Sequence, residues 1–129
     1  MCCGLPLWWA GELEGFRAHA VRFAAQFARS DTLVVHDPAC AHALRVRYPE
    51  LGAPLRPRVI HPATFLAENM DLEKPEHAKR YEGPSIAYAD TCSLARGLSI
   101  VDEPRRLIRR ITGQKAIELE GLGRREADC

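Results

Sequence analysis

The chain has 129 residues, of which 47% are hydrophobic and 27% charged, and its formal net charge is +1. This length suffices for a domain with a hydrophobic core, and the near-neutral charge gives no electrostatic reason to expect nucleic acid or an anionic membrane as a partner. No apolar run approaches the roughly 20 residues of a membrane-spanning helix, and no basic segment precedes the apolar residues 5–10 as in a signal peptide. We therefore expect a cytoplasmic protein.

The first half of the chain alternates helical and extended patterns. Residues 11–29 place apolar side chains at helical spacing and predict an amphipathic helix, whereas the apolar run 32–36 predicts a buried strand of a parallel sheet. Asp37 and Pro38 predict the N-cap and first turn of a second helix, which ends near Pro49. Residues 58–60 predict a brief strand.

The second half continues the alternation. The predicted elements are a helix opening at residues 61–62, a charged loop at 71–84, a strand at 85–89, a helix or turn up to Gly97, a helix from Asp102 to Gly113 and a strand at 115–119. In the helix that starts at Asp102, we expect Leu107, Ile108 and Ile111 to face inward. Alternating strands and helices indicate an α/β fold, with a mostly parallel sheet of about four to five strands flanked by helices.

The five cysteines are Cys2, Cys3, Cys40, Cys92 and Cys129. An odd number without an export signal favours metal ligands, catalytic groups or buried packing residues over disulfides. The adjacent pair followed by a third thiol 37 residues later is typical of a soft-metal or iron–sulfur site. Cys40 and Cys92 also share a weak internal repeat, in which a strand is followed by an aspartate and then a cysteine at the start of a helix. A helix amino terminus would lower the pKa of a thiol there.

Several segments together resemble the cysteine-rich CCG domain family, which includes the heterodisulfide reductase B subunit, the iron–sulfur subunit of glycolate oxidase and lactate-utilisation proteins. The matching segments are residues 2–6 with Gly11, 35–40 with 47–49, 88–98, 102–108 with Gly113, and 127–129. Family members carry two repeats, each with an isolated cysteine, a Cys-Cys-Gly and a Cys-x-x-Cys. The likeness implies a single domain over residues 1–129, made of two half-repeats (1–70 and 85–129) joined by the charged loop 71–84. We expect the chain to be a fragment spanning the end of repeat one and the start of repeat two.

The resemblance implies two sites for an iron–sulfur cluster of the 4Fe–4S or noncubane type, with zinc as the alternative. Cys2, Cys3 and Cys40 would belong to the first site, and Cys92 and Cys129 to the second. Asp37, which stands where the family has the first cysteine of Cys-x-x-Cys, and His36 are further candidate donors to the first site. No catalytic residue is predicted.

The function that the resemblance implies is an electron-transfer module of an oxidoreductase complex. Its partner would be a flavin-containing or ferredoxin-type redox subunit, and the electron acceptor a quinone or a disulfide. Such a module would be cytoplasmic or held at the inner membrane through its partner, and a homo-oligomer would complete its sites. The alternatives are a zinc-binding or metal-free scaffold domain and a truncated, non-functional relative.

Three further patterns have ordinary structural interpretations. Asp37 and Asp90 are more typical of helix caps than of ligands or acids. The arginine run at residues 105–110 favours a solvated helix face, with contact to an acidic redox partner as the alternative. Adjacent Trp8 and Trp9 are expected to pack partly into a core, or else to dock a partner.

Overall fold

The computed structural model describes residues 2–72 and 81–119. The chain divides into two compact units, Met1–His61 and Pro62–Cys129, which are described separately below. The prediction of an α/β class is confirmed. In place of a single sheet of four to five strands, however, the strands of the described residues pair as two parallel sheets of two strands each.

The first unit begins with two helices and then forms a strand–helix–strand segment. Its elements are α1 (Leu5–Trp9), α2 (Leu13–Gln26), β1 (Thr32–Val34), α3 (Pro38–His42), a π-helical turn (Ala43–Arg47), α4 (Tyr48–Glu50) and β2 (Arg58–Ile60). In the parallel sheet, Thr32 lies opposite Arg58 and Val34 opposite Ile60. The amphipathic helix and both strands were predicted, with slightly longer bounds. Helix α1 was not.

An aromatic cluster forms the core of this unit. Phe16 and Tyr48 are fully buried, with ring centroids 5.6 Å apart in an edge-to-face arrangement. Phe23 meets Tyr48 in the same way at 5.7 Å, and Trp8 packs on Phe16 at 5.5 Å. Edge-to-face pairs add roughly 0.5–1.5 kcal/mol to the free energy of burying the rings. The cluster therefore fixes α2 against the helical segment that carries Tyr48.

The helix after Asp37 has an irregular middle because of a proline. Pro49 has no N–H to donate, and in a regular α-helix its ring would clash with the carbonyl group of Arg45, four residues earlier. The wider π-helical turn Ala43–Arg47 directly precedes this point, and we attribute the widening to the proline. The turn leaves Leu44 and Tyr48 facing the core.

Two packing predictions for the first unit need correction. β1 is not a buried strand: Thr32 is exposed and Val34 is 46% exposed, because a two-stranded sheet covers little of its own surface. The two adjacent tryptophans also differ in burial. Trp8 is half-buried beneath the guanidinium of Arg47, whereas Trp9 is 71% exposed.

The second unit repeats the strand–helix–strand order after one helix. Its elements are α5 (Pro62–Asn69), β3 (Ala87–Tyr88), a π-helical turn (Ser93–Gly97), α6 (Asp102–Thr112) and β4 (Ile117–Glu118). Ala87 pairs with Ile117 and Tyr88 with Glu118 in the second parallel sheet. All five predicted elements are present, the two strands with shorter bounds than predicted. The predicted stop at Gly113, which has a φ of 72°, is confirmed. Ile111 was expected to face inward but is 64% exposed. Most of the predicted loop 71–84 lies outside the described residues.

No helix within residues 2–72 and 81–119 is long and apolar enough to span a membrane.

Candidate functional site

The Cys-Cys-Gly segment is held in place through its backbone. The hydroxyl of Tyr48 donates a hydrogen bond to the carbonyl oxygen of Cys3 at 3.0 Å, and Nε2 of His19 donates to the carbonyl oxygen of Cys2 at 2.8 Å. Both partners are distant in sequence, and sequence reasoning assigned neither of them a role. The spacing of Leu44 and Tyr48 at i, i+4 was a signal that the tyrosine ring faces inward. Two side chains from distant helical segments thus orient the two adjacent cysteines.

Gly4 is required by the conformation that follows the cysteines. Its φ is +83°, a left-handed backbone conformation that costs residues with a Cβ roughly 1–2 kcal/mol. A Cβ at this position would also lie 2.7 Å from Cδ2 of His19 and 3.1 Å from Cδ2 of Phe16. The glycine allows a tight turn into α1 against α2.

Cys40 meets this segment from the start of α3. The Oδ1 atom of Asp37 accepts a hydrogen bond from the backbone N–H of Cys40 at 2.7 Å, which confirms the predicted N-cap. The side chain of Cys40 packs against the core cluster that contains Cys3, and both Cys3 and Asp37 lie near enough to raise the pKa of its thiol. Cys3 is buried and Cys40 is half-buried. Two cysteines that are 37 residues apart in sequence are thus brought near one another.

The electrostatic environment raises the pKa of the Cys40 thiol to about 12 from its ordinary 9.0. Burial is the main cause, and Cys3 and the Asp37 carboxylate add to it. The prediction that a helix amino terminus would lower this pKa is wrong, because burial, the second thiol and the capping carboxylate outweigh the helix dipole. At neutral pH the Cys40 thiol is protonated. A cation that binds its sulfur must therefore displace the proton, as a metal ion does when it binds thiolates.

Cys2 lies outside the pair formed by Cys3 and Cys40. It is exposed, and its Sγ accepts a hydrogen bond from the backbone N–H of Gly4 at 3.3 Å. Burial, followed by the nearby Cys3, Cys2 and Cys40, raises the pKa of the Tyr48 hydroxyl, so all three cysteines lie in its vicinity. Nevertheless, no group of three or more Cys, His, Asp or Glu side chains within the described ranges is arranged to hold a metal ion. The first site contains a thiol pair with a third thiol nearby.

The two further donor candidates have other contacts. Asp37 is occupied with the cap and the thiol of Cys40. His36 is exposed, and its carbonyl oxygen accepts a hydrogen bond from Nε2 of His61 at 3.0 Å. Burial lowers the pKa of His61 despite that hydrogen bond. A neutral imidazole can make this hydrogen bond, which holds the backbone that follows β1.

In the second unit, the residue equivalent to Asp37 has a different role. The side chain of Asp90 is fully buried and accepts hydrogen bonds from Nη1 and Nη2 of Arg105 at 3.1 and 2.6 Å. Both Nε and Nη2 of Arg105 also donate to Glu118 at 2.6 Å. The carboxylates of Glu118 and Asp90 raise the pKa of Arg105. Asp90 was predicted to be a cap and Arg105 part of a solvated face; here they form a buried ion pair.

The predicted second metal site is only partly within the described residues. Cys92 lies half-buried directly before the π-helical turn Ser93–Gly97, at the predicted place in the chain. It is disulfide-bonded, contrary to the expectation from the odd number of cysteines, and so is not a free thiol. Cys129 lies outside the described residues.

The chain is similar to components of two kinds of reductase. Over 125 residues it is 29% identical to the B subunit of the fumarate reductase (CoM/CoB) of Methanothermobacter marburgensis, and the match covers 95% of this chain and 24% of that protein. Over 91 residues it is 31% identical to the D subunit of the dihydromethanophenazine:CoB–CoM heterodisulfide reductase of Methanosarcina mazei, covering 70% of this chain and 22% of the relative. The D subunit of the same reductase from Methanosarcina acetivorans matches at 27% identity over 99% of this chain and 32% of the relative.

These matches relate the chain to one part of each relative. It spans about a quarter to a third of the length of the curated relatives it matches. No family model matches the chain, and no solved structure matches it significantly. The homologues are thus subunits of reductase complexes, at low identity.

Proposed function

We propose that this chain is an electron-transfer module of a reductase complex and that its first unit supplies thiolate ligands to an iron–sulfur centre. The observation that carries the proposal is the proximity of Cys3 and Cys40, which come together from distant positions in the sequence at the Cys-Cys-Gly segment. The similarity to subunits of reductases supports a redox role.

The donor chemistry fits such a centre in part. Iron–sulfur clusters and zinc are bound by about four donors, with thiolates preferred. Cys2, Cys3 and Cys40 provide three thiols, and the two backbone anchors hold the Cys-Cys-Gly segment beside Cys40. The fourth donor would come from Asp37, from His36 or from outside the described residues. When bound, the cluster would supply one-electron redox chemistry.

The chain's own residues would prepare the site. Tyr48 and His19 fix the carbonyl groups of the two adjacent cysteines, which limits the positions open to their sulfur atoms. Asp37 fixes the backbone of Cys40, and burial, assisted by Cys3 and Asp37, keeps the thiol of Cys40 protonated in the absence of a cation. By extension from the repeat, Cys92 and Cys129 would contribute to a second centre in the second unit once the disulfide of Cys92 is reduced by an added thiol. The partner would be a flavin-containing or ferredoxin-type subunit.

Anaerobic reconstitution with iron and sulfide tests the proposal. We expect visible absorption and bound iron in the unaltered chain, and loss of the first centre in Cys3→Ser and in Cys40→Ser. Cys92→Ser serves as the matched control, because it lies in the other unit and should leave the first centre in place. A colourless, iron-free protein would reject the proposal, and bound zinc without iron would favour a non-redox metal site.

A further inference from the structure

One wall of the second unit carries a cationic cleft that the proposed electron-transfer role does not use. The cleft is open to solvent, has a volume of about 650 Å³ and lies between α6 and the segment that leads into β4. Its charged lining consists of Asp102, Arg105, Arg106, Arg109, Lys115 and Glu118. A volume of this size lies within the range of small-molecule sites.

The lining is cationic after its internal ion pairs are considered. The lining has four basic and two acidic side chains. Arg105 binds Glu118 through two hydrogen bonds of 2.6 Å and also binds the buried Asp90, so two carboxylates share this one cation. Arg109 and Lys115 are exposed, and within residues 2–72 and 81–119 their side chains make no hydrogen bond or ion pair. The cleft therefore presents two uncompensated cations.

These two cations come from different walls. Arg109 lies on α6 one turn after Arg106, so both side chains belong to the helix face that lines the cleft. Lys115 belongs to the segment after the helix ends at Gly113. A ligand that reaches both walls needs negative charges separated by several ångströms. A planar guanidinium binds carboxylate or phosphate groups through two parallel hydrogen bonds, and an ammonium complements it as a point charge.

We propose that this cleft binds a small molecule with at least two negatively charged groups, carboxylates or phosphates, held between Arg109 and Lys115. The concave shape favours a small anion over the flat acidic surface of a protein.

Calorimetric titration of the 129-residue chain with pyrophosphate, and separately with tricarballylate, tests this inference. We expect the unaltered chain to bind at least one of the two probes saturably. The double variant Arg109→Gln/Lys115→Gln should have an affinity about tenfold or more lower, because each lost charge-assisted hydrogen bond weakens binding. Binding should also weaken as potassium chloride is raised from about 50 to about 300 mM. Stronger binding of pyrophosphate would indicate a phosphate ligand, and stronger binding of tricarballylate a carboxylate ligand.

Arg45→Gln is the matched control, because Arg45 is an exposed arginine of the first unit. It should bind either probe like the unaltered chain, and circular dichroism should show unchanged folding of all variants. The inference is overturned if neither probe binds, if Arg45→Gln weakens binding as much as the double variant, or if only a polyglutamate chain binds. Iron binding by the first unit plays no part in these measurements, so the two proposals fail independently.

Discussion

The two units place an aspartate after a strand and before a cysteine, yet the two aspartates have opposite environments. Asp37 is exposed and caps α3 through the N–H of Cys40. Asp90 has no exposed side-chain surface and binds Arg105. In the first unit the aspartate acts on the thiol directly, whereas in the second it joins β3 to α6 and β4. Similar local sequence therefore does not produce the same local electrostatics.

The difference arises from the side chains that the following helical segment places near the end of the strand in each unit. In the first unit, the segment after Asp37 leads to Tyr48, which is turned toward the Cys-Cys-Gly backbone. In the second, α6 places a guanidinium next to the aspartate, and the buried carboxylate requires such a partner because an unpaired buried charge is strongly unfavourable. Substitutions in one unit at a time can test the two arrangements independently.

The largest effect should follow from Arg105→Met. Leaving Asp90 buried without its cation should lower the free energy of unfolding by about 3–5 kcal/mol. Urea denaturation followed by circular dichroism measures this loss, and hydrogen exchange at the Ile117 amide, which bonds to Ile86, should report the opening of the second sheet. Arg109→Met, an exposed arginine on the same helix, should change stability little. A loss below about 1 kcal/mol for Arg105→Met would contradict the importance of the ion pair.

A smaller loss is expected for Gly4→Ala in the first unit. The left-handed φ costs roughly 1–2 kcal/mol, and the 2.7 Å contact with His19 adds to it. Gly11→Ala is the matched control, since Gly11 has a φ of 76° and nothing within 4 Å of an added Cβ. Thermal or urea unfolding of both variants isolates the contribution of the contact. Equal losses would show that His19 does not restrict this position.

The hydroxyl of Tyr48 should contribute about 1 kcal/mol. Tyr48→Phe keeps the aromatic packing but leaves the buried carbonyl group of Cys3 without its donor. Urea unfolding followed by tryptophan fluorescence reports on this unit, because Trp8 packs on Phe16 next to Tyr48. Tyr81→Phe, an exposed tyrosine of the second unit, should have no comparable effect. If both variants unfold at the same urea concentration, the proposed anchoring of Cys3 is wrong.

The raised pKa of Cys40 also predicts a pH dependence of stability. A thiol whose pKa is about 12 in the folded chain and 9.0 when unperturbed stabilises the fold fully below pH 9. This contribution should decline as the pH rises from 9 toward 12. Melting temperatures across that range should fall more steeply for the unaltered chain than for Cys40→Ala. Parallel curves would refute the assignment.

The smallest structural change is expected for Asp37→Asn. Asparagine caps helices about as well as aspartate, so the fold should persist while the negative charge next to Cys40 is removed. The pKa of Cys40 should therefore fall toward 9, because the charge of Asp37 helps to raise it. The pH dependence of Cys40 alkylation, followed by mass spectrometry, measures the shift. Asp31→Asn, at an exposed aspartate, is the control, and an unchanged profile in Asp37→Asn would exclude electrostatic control by Asp37.

Several features could be predicted from local sequence. Asp37 caps α3 and Gly113 ends α6 as expected, because caps and stops depend on a few neighbouring residues. The cysteine spacing also singled out Cys3 and Cys40, which lie near one another in the first unit. By contrast, the inward orientation of Ile111 and the burial of β1 were wrong, because both depend on which other segments cover a helix or a sheet.

Apart from helix α1, the sequence by itself determined the order of helices and strands, and it singled out the cysteines, since periodicity, prolines, glycines and caps act over a few residues. The tertiary structure alone decided that Tyr48 and His19 would hold the Cys-Cys-Gly backbone, that the pKa of Cys40 would rise, and that Asp90 would pair with Arg105. Each of these depends on burial and on charges brought together from distant positions, and a linear pattern does not specify such distances.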